Sequence, residues 1–274
     1  MPPKRKVMVP KRSFPKAPLL VVLVAIPVVV AVLTHHPNAA RATRGPVQRL
    51  YAPISVDQPG ILAKLKAGQF DAVEAMLKSL QAAALKDPRE EMNLMTAYGA
   101  FASSDSAVAD KLREWAMKST DSASAHCARA MCLMGAAAQA RGHDGGAASS
   151  LPPENFTEME KALNQGVAEA DSARHLDPNL VVAYLPAINA ARMETDDVAL
   201  DQAAHTALGR FPASFAVREA IIDAYAPKWG GSYPKMEKFG LESQVYLAQN
   251  PMMRFLAGFC LMAQASDRED DGDW

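Results

Sequence analysis

Strand-type alternation of Val, Ile, Thr and Tyr is nearly missing from this 274-residue sequence after residue 56, which argues against a sheet. Aromatic residues are also few, at 7%, and the apolar share leans on Ala, with Leu, Val and Met. Ala is the strongest helix former, and small side chains let helices approach closely. A hydrophobic share of 49% is ample for a core and too high for general disorder. The fold class these features imply is all-α. Catalytic signatures are missing as well: there is no HExxH, no GxSxG, no CxxC and no phosphate-binding Gly loop. His126, His175 and His205 stand at no ligand spacing from one another, and no structural metal or cofactor is expected. Helix-dipole capping is the preferred account of His175, which precedes Leu-Asp-Pro.

Three cysteines, Cys127, Cys132 and Cys260, cannot all pair with one another. Cys127 and Cys132 are five apart, which on a helix turns them about 140° away from each other. They are read as small buried hydrophobes. A bond from either to Cys260 stays open if the domain faces an oxidising compartment.

Charge is balanced in total, at −1, but uneven along the chain. Lys4, Arg5, Lys6, Lys11, Arg12 and Lys16 give residues 1–16 a charge of +6 with no acid. Residues 266–274 form an acidic tail of −4. The stretch between them is nearly neutral, which gives no support for a nucleic-acid surface.

The basic head runs straight into Ala17–Leu33, 17 residues without a charge. As a helix this run spans about 25 Å, the short end of what crosses a bilayer. It reads as a membrane anchor or as the core of a signal peptide. Ala40-Arg41-Ala42 offers a small-x-small cleavage point, and Lys11-Arg12 weakly resembles an export motif. The length of the run, and the nine residues between it and Ala42, favour the anchor. Either way, the positive charge before the run puts the N-terminus in the cytoplasm and the domain outside. Residues 34–56, including His35-His36, read as a linker into a domain at 57–265.

Within that domain, helix starts recur. Asp87-Pro88-Arg89-Glu90 places a capping acid, proline at the first helical position and Glu three after the cap. Asp177-Pro178 and Asn250-Pro251 repeat the opening, Phe211-Pro212 keeps the proline, and Ser122 opens a helix without one. The marks at 88, 122, 178, 212 and 251 are spaced 34, 56, 34 and 39. The long intervals hold the loops 141–153 and 226–234. Apolar stripes at helical spacing fill the rest: Phe70, Val73, Leu77, Leu80, Ala84; Val108, Leu112, Trp115; Phe156, Met159, Leu163, Val167, Ala170; Phe255, Phe259, Met262. In Leu65-Lys66-Ala67-Gly68-Gln69-Phe70, Gly68 breaks a helix pair and Phe70 opens the second helix.

A 34-residue period of paired helices resembles the tetratricopeptide repeats over about residues 57–265. A closer likeness is to membrane-anchored bacterial proteins that combine such helices with a Trp-Gly-Gly-Ser loop. The residues that carry it are Trp229-Gly230-Gly231-Ser232, Trp115, Arg141-Gly142 and Leu176-Asp177-Pro178. The resemblance implies a helical-hairpin solenoid and no particular reaction.

Two loops remain as candidate sites. His143-Asp144 with Ser149 or Ser150 has the residue types of a nucleophilic site, but a Gly/Ala/Ser loop does not hold them rigidly. Asn155-Phe156-Thr157 is a sequon, relevant only to an exported chain in a glycosylating source. In the second loop, Gly230 and Gly231 permit a backbone path closed to other residues, and Ser232 can cap a helix at Tyr233-Pro234. Trp229 is then a plug in the core or, alternatively, a presented peptide or glycan contact. The expected function is a non-catalytic, envelope-bound scaffold docking a protein or peptide partner. The alternatives are an enzyme using the 141–153 or 226–234 loop, and a structural spacer.

Overall fold

A computed structural model describes residues 51–142 and 152–271. Among these are eleven α-helices and no strand, the all-α class expected from composition. In chain order they are α1 (Gln58–Lys66), α2 (Phe70–Lys86), α3 (Glu91–Gly99), α4 (Ser106–Lys118), α5 (Ala123–Arg141) and α6 (Pro153–Leu176). Then come α7 (Leu185–Glu194), α8 (Asp197–Arg210), α9 (Phe215–Ala224), α10 (Tyr233–Glu242) and α11 (Met253–Asp271). The apolar run at 17–33, His35-His36 and the cleavage point near Ala42 lie outside the described residues, as do His143, Asp144, Ser149 and Ser150. Among the described residues, no helix is long and apolar enough to cross a membrane.

The helix boundaries follow local chemistry. Asp57 caps α1, its carboxylate accepting the Gly60 N–H at 3.0 Å. Gly68 adopts φ +72°, the left-handed turn that ends a helix at little cost to glycine, and Phe70 begins α2. Ser122 caps α5, its hydroxyl oxygen accepting the Ala125 N–H at 3.1 Å.

The prolines behave differently from the expectation that each starts an α-helix. Pro88 opens a short 3₁₀ turn at Pro88–Glu90, ahead of α3. Pro178, Pro212 and Pro251 sit in turns before α7, α9 and α11. The reason lies in the residue before the proline. Asp87, Asp177 and Asn250 each accept the N–H two residues ahead, from Arg89 (3.0 Å), Asn179 (2.8 Å) and Met252 (3.1 Å). That bond closes an Asx turn, and the helix starts only after it. Glu90 does not complete a capping box; it accepts instead from Asn93 Nδ2 at 2.7 Å.

Val73, Leu77, Val108, Leu112, Trp115, Met159, Leu163 and Ala170 are buried as their spacing predicts. Trp115 stacks on Phe70, with centroids 5.9 Å apart. In α11 the deepest residues are Met253, Leu256 and Cys260, while Phe255 and Phe259 are half-buried beside them. One large cluster spans α1–α9, a second gathers around Trp229 and α11, and a third joins α5, α6 and α7.

Odd-numbered helices pack on one another along the whole chain, α1 on α3, α3 on α5, α5 on α7, α7 on α9 and α9 on α11. Even-numbered helices pack chiefly on their chain neighbours, but α2 also touches α5, and α4 leans on α5 and α1, where Lys66 pairs with Asp105 at 2.6 Å. α3 also reaches α9. The buried Glu91 carboxylate accepts the Ser214 hydroxyl and the N–H groups of Phe215 (2.9 Å) and Ala216 (3.4 Å) at the start of α9.

Both ends of the described domain are structured. Ala52 N–H donates to the Arg89 carbonyl at 2.9 Å. Ser55 N–H donates to Asn93 Oδ1 at 3.0 Å, and Asn93 Nδ2 donates to the Pro53 carbonyl at 3.2 Å. The last residues before α1 are thus tied down on α3. At the other end α11 continues through Asp271, into the acidic segment.

Candidate functional site

After α9 the chain passes through Tyr225 and Ala226 into a 3₁₀ turn at Pro227–Trp229. Gly230 then takes φ +88°, a left-handed conformation that strains most side chains. Gly231 lies so close to the preceding chain that a Cβ there would sit 2.1 Å from the Tyr225 carbonyl oxygen. Its N–H donates to the Ala226 carbonyl at 3.2 Å, closing the turn. Ser232 caps α10 as expected, accepting the Lys235 N–H at 3.3 Å.

This turn delivers Trp229 into the second core cluster, where it is 6% exposed among Phe215, Ile222 and Met236. Trp229 therefore lies in the core of the described residues rather than on their surface. Yet the ring is more than a plug. The Arg141 guanidinium carbon lies 4.8 Å from its centroid and that of Arg192 lies 5.0 Å from it. Lys228 Nζ stands 5.7 Å away. Such cation–π contacts are worth about 0.5–2 kcal/mol each, more where water is excluded.

Arg192, on α7, has a side chain only 10% exposed and pairs through Nη1 with Asp223 of α9. Arg141 ends α5 and has no acidic partner among the described residues. Burial, and then the nearby Arg192 charge, lower its pKa from the ordinary value. The Nε of Arg141, the Nε of Arg192 and the indole Nε1 of Trp229 are all buried without a hydrogen-bond partner among the described residues. The three positively charged side chains come from three separate segments, α5, α7 and the turn before α10. In the sequence Arg141 stands out only beside Gly142, and Arg192 carries no signal.

Several other polar groups are already engaged or exposed. His126 Nδ1 lies 2.6 Å from Glu169 Oε2, and Arg129 pairs with the same carboxylate at 2.8 Å. His126 Nε2 approaches the Thr120 carbonyl at 3.3 Å. His175, in the last turn of α6, and His205, on α8, are exposed. Cys127, Cys132 and Cys260 are free and buried, and burial pushes the thiols of Cys127 and Cys132 up. Among the described residues no group of three or more His, Cys, Asp or Glu could hold a metal ion. A cleft of about 180 Å³ opens beside Gln81, Leu85, Asn179 and Phe211. Its polar groups are already engaged: Gln81 donates to Asp177 at 2.7 Å, Arg210 donates to Asn179, and Ser214 donates to Glu91.

Comparison with known proteins adds no relative: no family model, curated protein or solved structure matches the chain.

Proposed function

We propose that the chain is a helical-repeat interaction protein of a bacterial envelope, held by the segment at 17–33 and docking a protein or peptide partner without catalysing a reaction. The observation that carries this reading is the continuous packing of odd-numbered helices on one another, each also flanked by even-numbered neighbours. In a tetratricopeptide-like solenoid the corresponding row of helices lines an extended groove. A second observation favours a binder over a spacer. The row carries a half-buried ion pair, Arg192 on α7 with Asp223 on α9, and the half-buried carboxyl of Glu219 beside it on α9. Desolvated charge is costly in a purely mechanical element, whereas a partner segment uses it for register and specificity. The anchor reading is supported by the uncharged run and its basic flank, and the outward orientation by their order.

Orientation and docking are testable in the same cells. Alkaline phosphatase fused after Trp274 is expected to be active, and a cytoplasm-dependent reporter at the same place silent; the reverse pattern refutes the orientation. A photo-crosslinking residue at Glu219 is expected to give a discrete adduct, while one at the exposed Lys238 on α10 gives none. Identical patterns at both positions, or no adduct at 219, refute docking along the odd-numbered row.

A further inference from the structure

We propose that Arg141, Arg192 and Trp229 form a binding site for a small oxyanion group, a carboxylate or a phosphate. The inference is independent of the envelope reading above. Buried N–H donors are nearly always paired, yet among the described residues three unpaired ones belong to Trp229 and the two arginines that lie against it: both arginine Nε groups and the indole Nε1. Each guanidinium carbon lies within about 5 Å of the centre of the same ring, so both arginines share Trp229 as a neighbour.

Charge points the same way. Asp223 answers Arg192, but Arg141 has no acid among the described residues, and Lys228 adds a further positive charge beside the ring. The two guanidiniums beside the indole repel each other, and an anion between or beside them relieves that repulsion. The donor set also defines the ligand. Guanidinium and indole N–H groups only donate, so the guest must accept several hydrogen bonds at once. Planar guanidinium forks match carboxylate and phosphate oxygens in pairs.

The site is also held in advance. Trp229 is wedged in the second core cluster by a turn that Gly230 and Gly231 permit. Arg192 is carried on α7 and tied to Asp223. Arg141 closes α5, whose partner α6 packs along its length. Donors on rigid elements lose little freedom on binding.

The test uses the full-length chain in a mild non-ionic detergent, with inorganic phosphate and acetate as separate probes against chloride at equal ionic strength. Two signals are followed: the thermal midpoint, and the indole ¹H–¹⁵N resonance of Trp229, assigned by its loss in Trp229→Phe. Because phosphate stabilises proteins generally by exclusion from their surface, Arg141→Gln is run beside the parent. A saturable rise in midpoint with a shift of the Trp229 resonance is expected for at least one oxyanion, and not for Arg141→Gln. Arg141→Lys, which keeps the charge but loses the fork, is expected to bind at least tenfold more weakly. A stronger response to phosphate or to acetate identifies the preferred oxyanion. The proposal is overturned if neither anion moves the Trp229 resonance of the parent chain, or if Arg141→Gln responds as the parent does. Should Arg141→Gln fail to fold, the parent titration and Arg141→Lys decide alone: binding undiminished in Arg141→Lys overturns the site.

Discussion

Replacing Trp229 by alanine separates its core role from a surface role most directly. The side chain is 6% exposed and packs among Phe215, Ile222 and Met236. Truncating a buried Trp costs about 3–5 kcal/mol, combining lost transfer energy with the cavity left behind. The guanidiniums of Arg141 and Arg192 lose their aromatic face at the same time, a further loss of about 0.5–2 kcal/mol each that regained hydration partly offsets. No hydrogen-bond acceptor is orphaned, because the indole N–H has no partner among the described residues. Against a typical stability of about 5–15 kcal/mol, this is a large fraction. For a domain of this size each kcal/mol moves the midpoint by about 2–4 °C, so Trp229→Ala is expected to melt roughly 6–20 °C lower. Differential scanning calorimetry of the full chain in detergent reads it, with Trp229→Phe falling less because most of the apolar body remains. A midpoint within about 1 °C of the parent would falsify the packing role assigned to Trp229.

Glu91→Ala strips the start of α9 of its buried acceptor and is expected to cost about 1–3 kcal/mol for each orphaned donor; urea denaturation checks this, and a loss below about 0.5 kcal/mol refutes the cap. Burial first, and then the charges of Asp223 and Glu91, push the Glu219 carboxyl up to about 8. Its folded form therefore holds the proton more tightly than the unfolded chain, so its stabilising contribution is complete below the ordinary carboxylate range and is lost as pH rises through about 8. From this group stability falls by up to about 1.4 kcal/mol per pH unit over that window. Glu219→Gln is expected to flatten the slope in denaturation curves from pH 5 to 9, and an unchanged slope sinks the assignment. Gly231→Ala forces a methyl toward the Tyr225 carbonyl and is expected to destabilise by at least about 1–3 kcal/mol. Gly209→Ala, on α8 with no atom within 4 Å of the added carbon, is expected to be neutral or stabilising by up to about 1 kcal/mol. Equal effects at the two glycines would refute the steric account of the turn.

What was legible in the sequence was governed by local chemistry. Gly68, Phe70, Ser122 and Ser232 announced their helix boundaries because a cap or a left-handed turn is settled within a few residues. The stripes in α2, α4 and α6 were legible because one face of a helix must be buried. The prolines misled by a few residues, since a side-chain acceptor at Asp87, Asp177 or Asn250 closes a turn before any helix starts. α11 misled more gently: two phenylalanines marked the apolar side, but Met253, Leu256 and Cys260 fit the space better. The guanidinium pair was illegible for a different reason. Arg141, Arg192 and Trp229 meet only once three distant segments have packed, and no periodicity encodes that meeting.

The bond from Glu91 to the start of α9 has a consequence for the order in which the chain can mature. During synthesis Glu91 emerges long before Ser214, Phe215 and Ala216, the donors that it meets in the finished domain. Until those residues arrive, the early helices carry a carboxylate without its donors and an open flank where α9 belongs. Growth from the N-terminus is thus expected to stall short of the native arrangement, with closure delayed until α9 is released. Nascent chains arrested after Arg210 should remain protease-sensitive around α3, whereas chains arrested well beyond Ala224 should be protected there. Protection of α3 in the shorter chains would show that the early hairpins mature alone and that the carboxylate is a late ornament rather than a checkpoint.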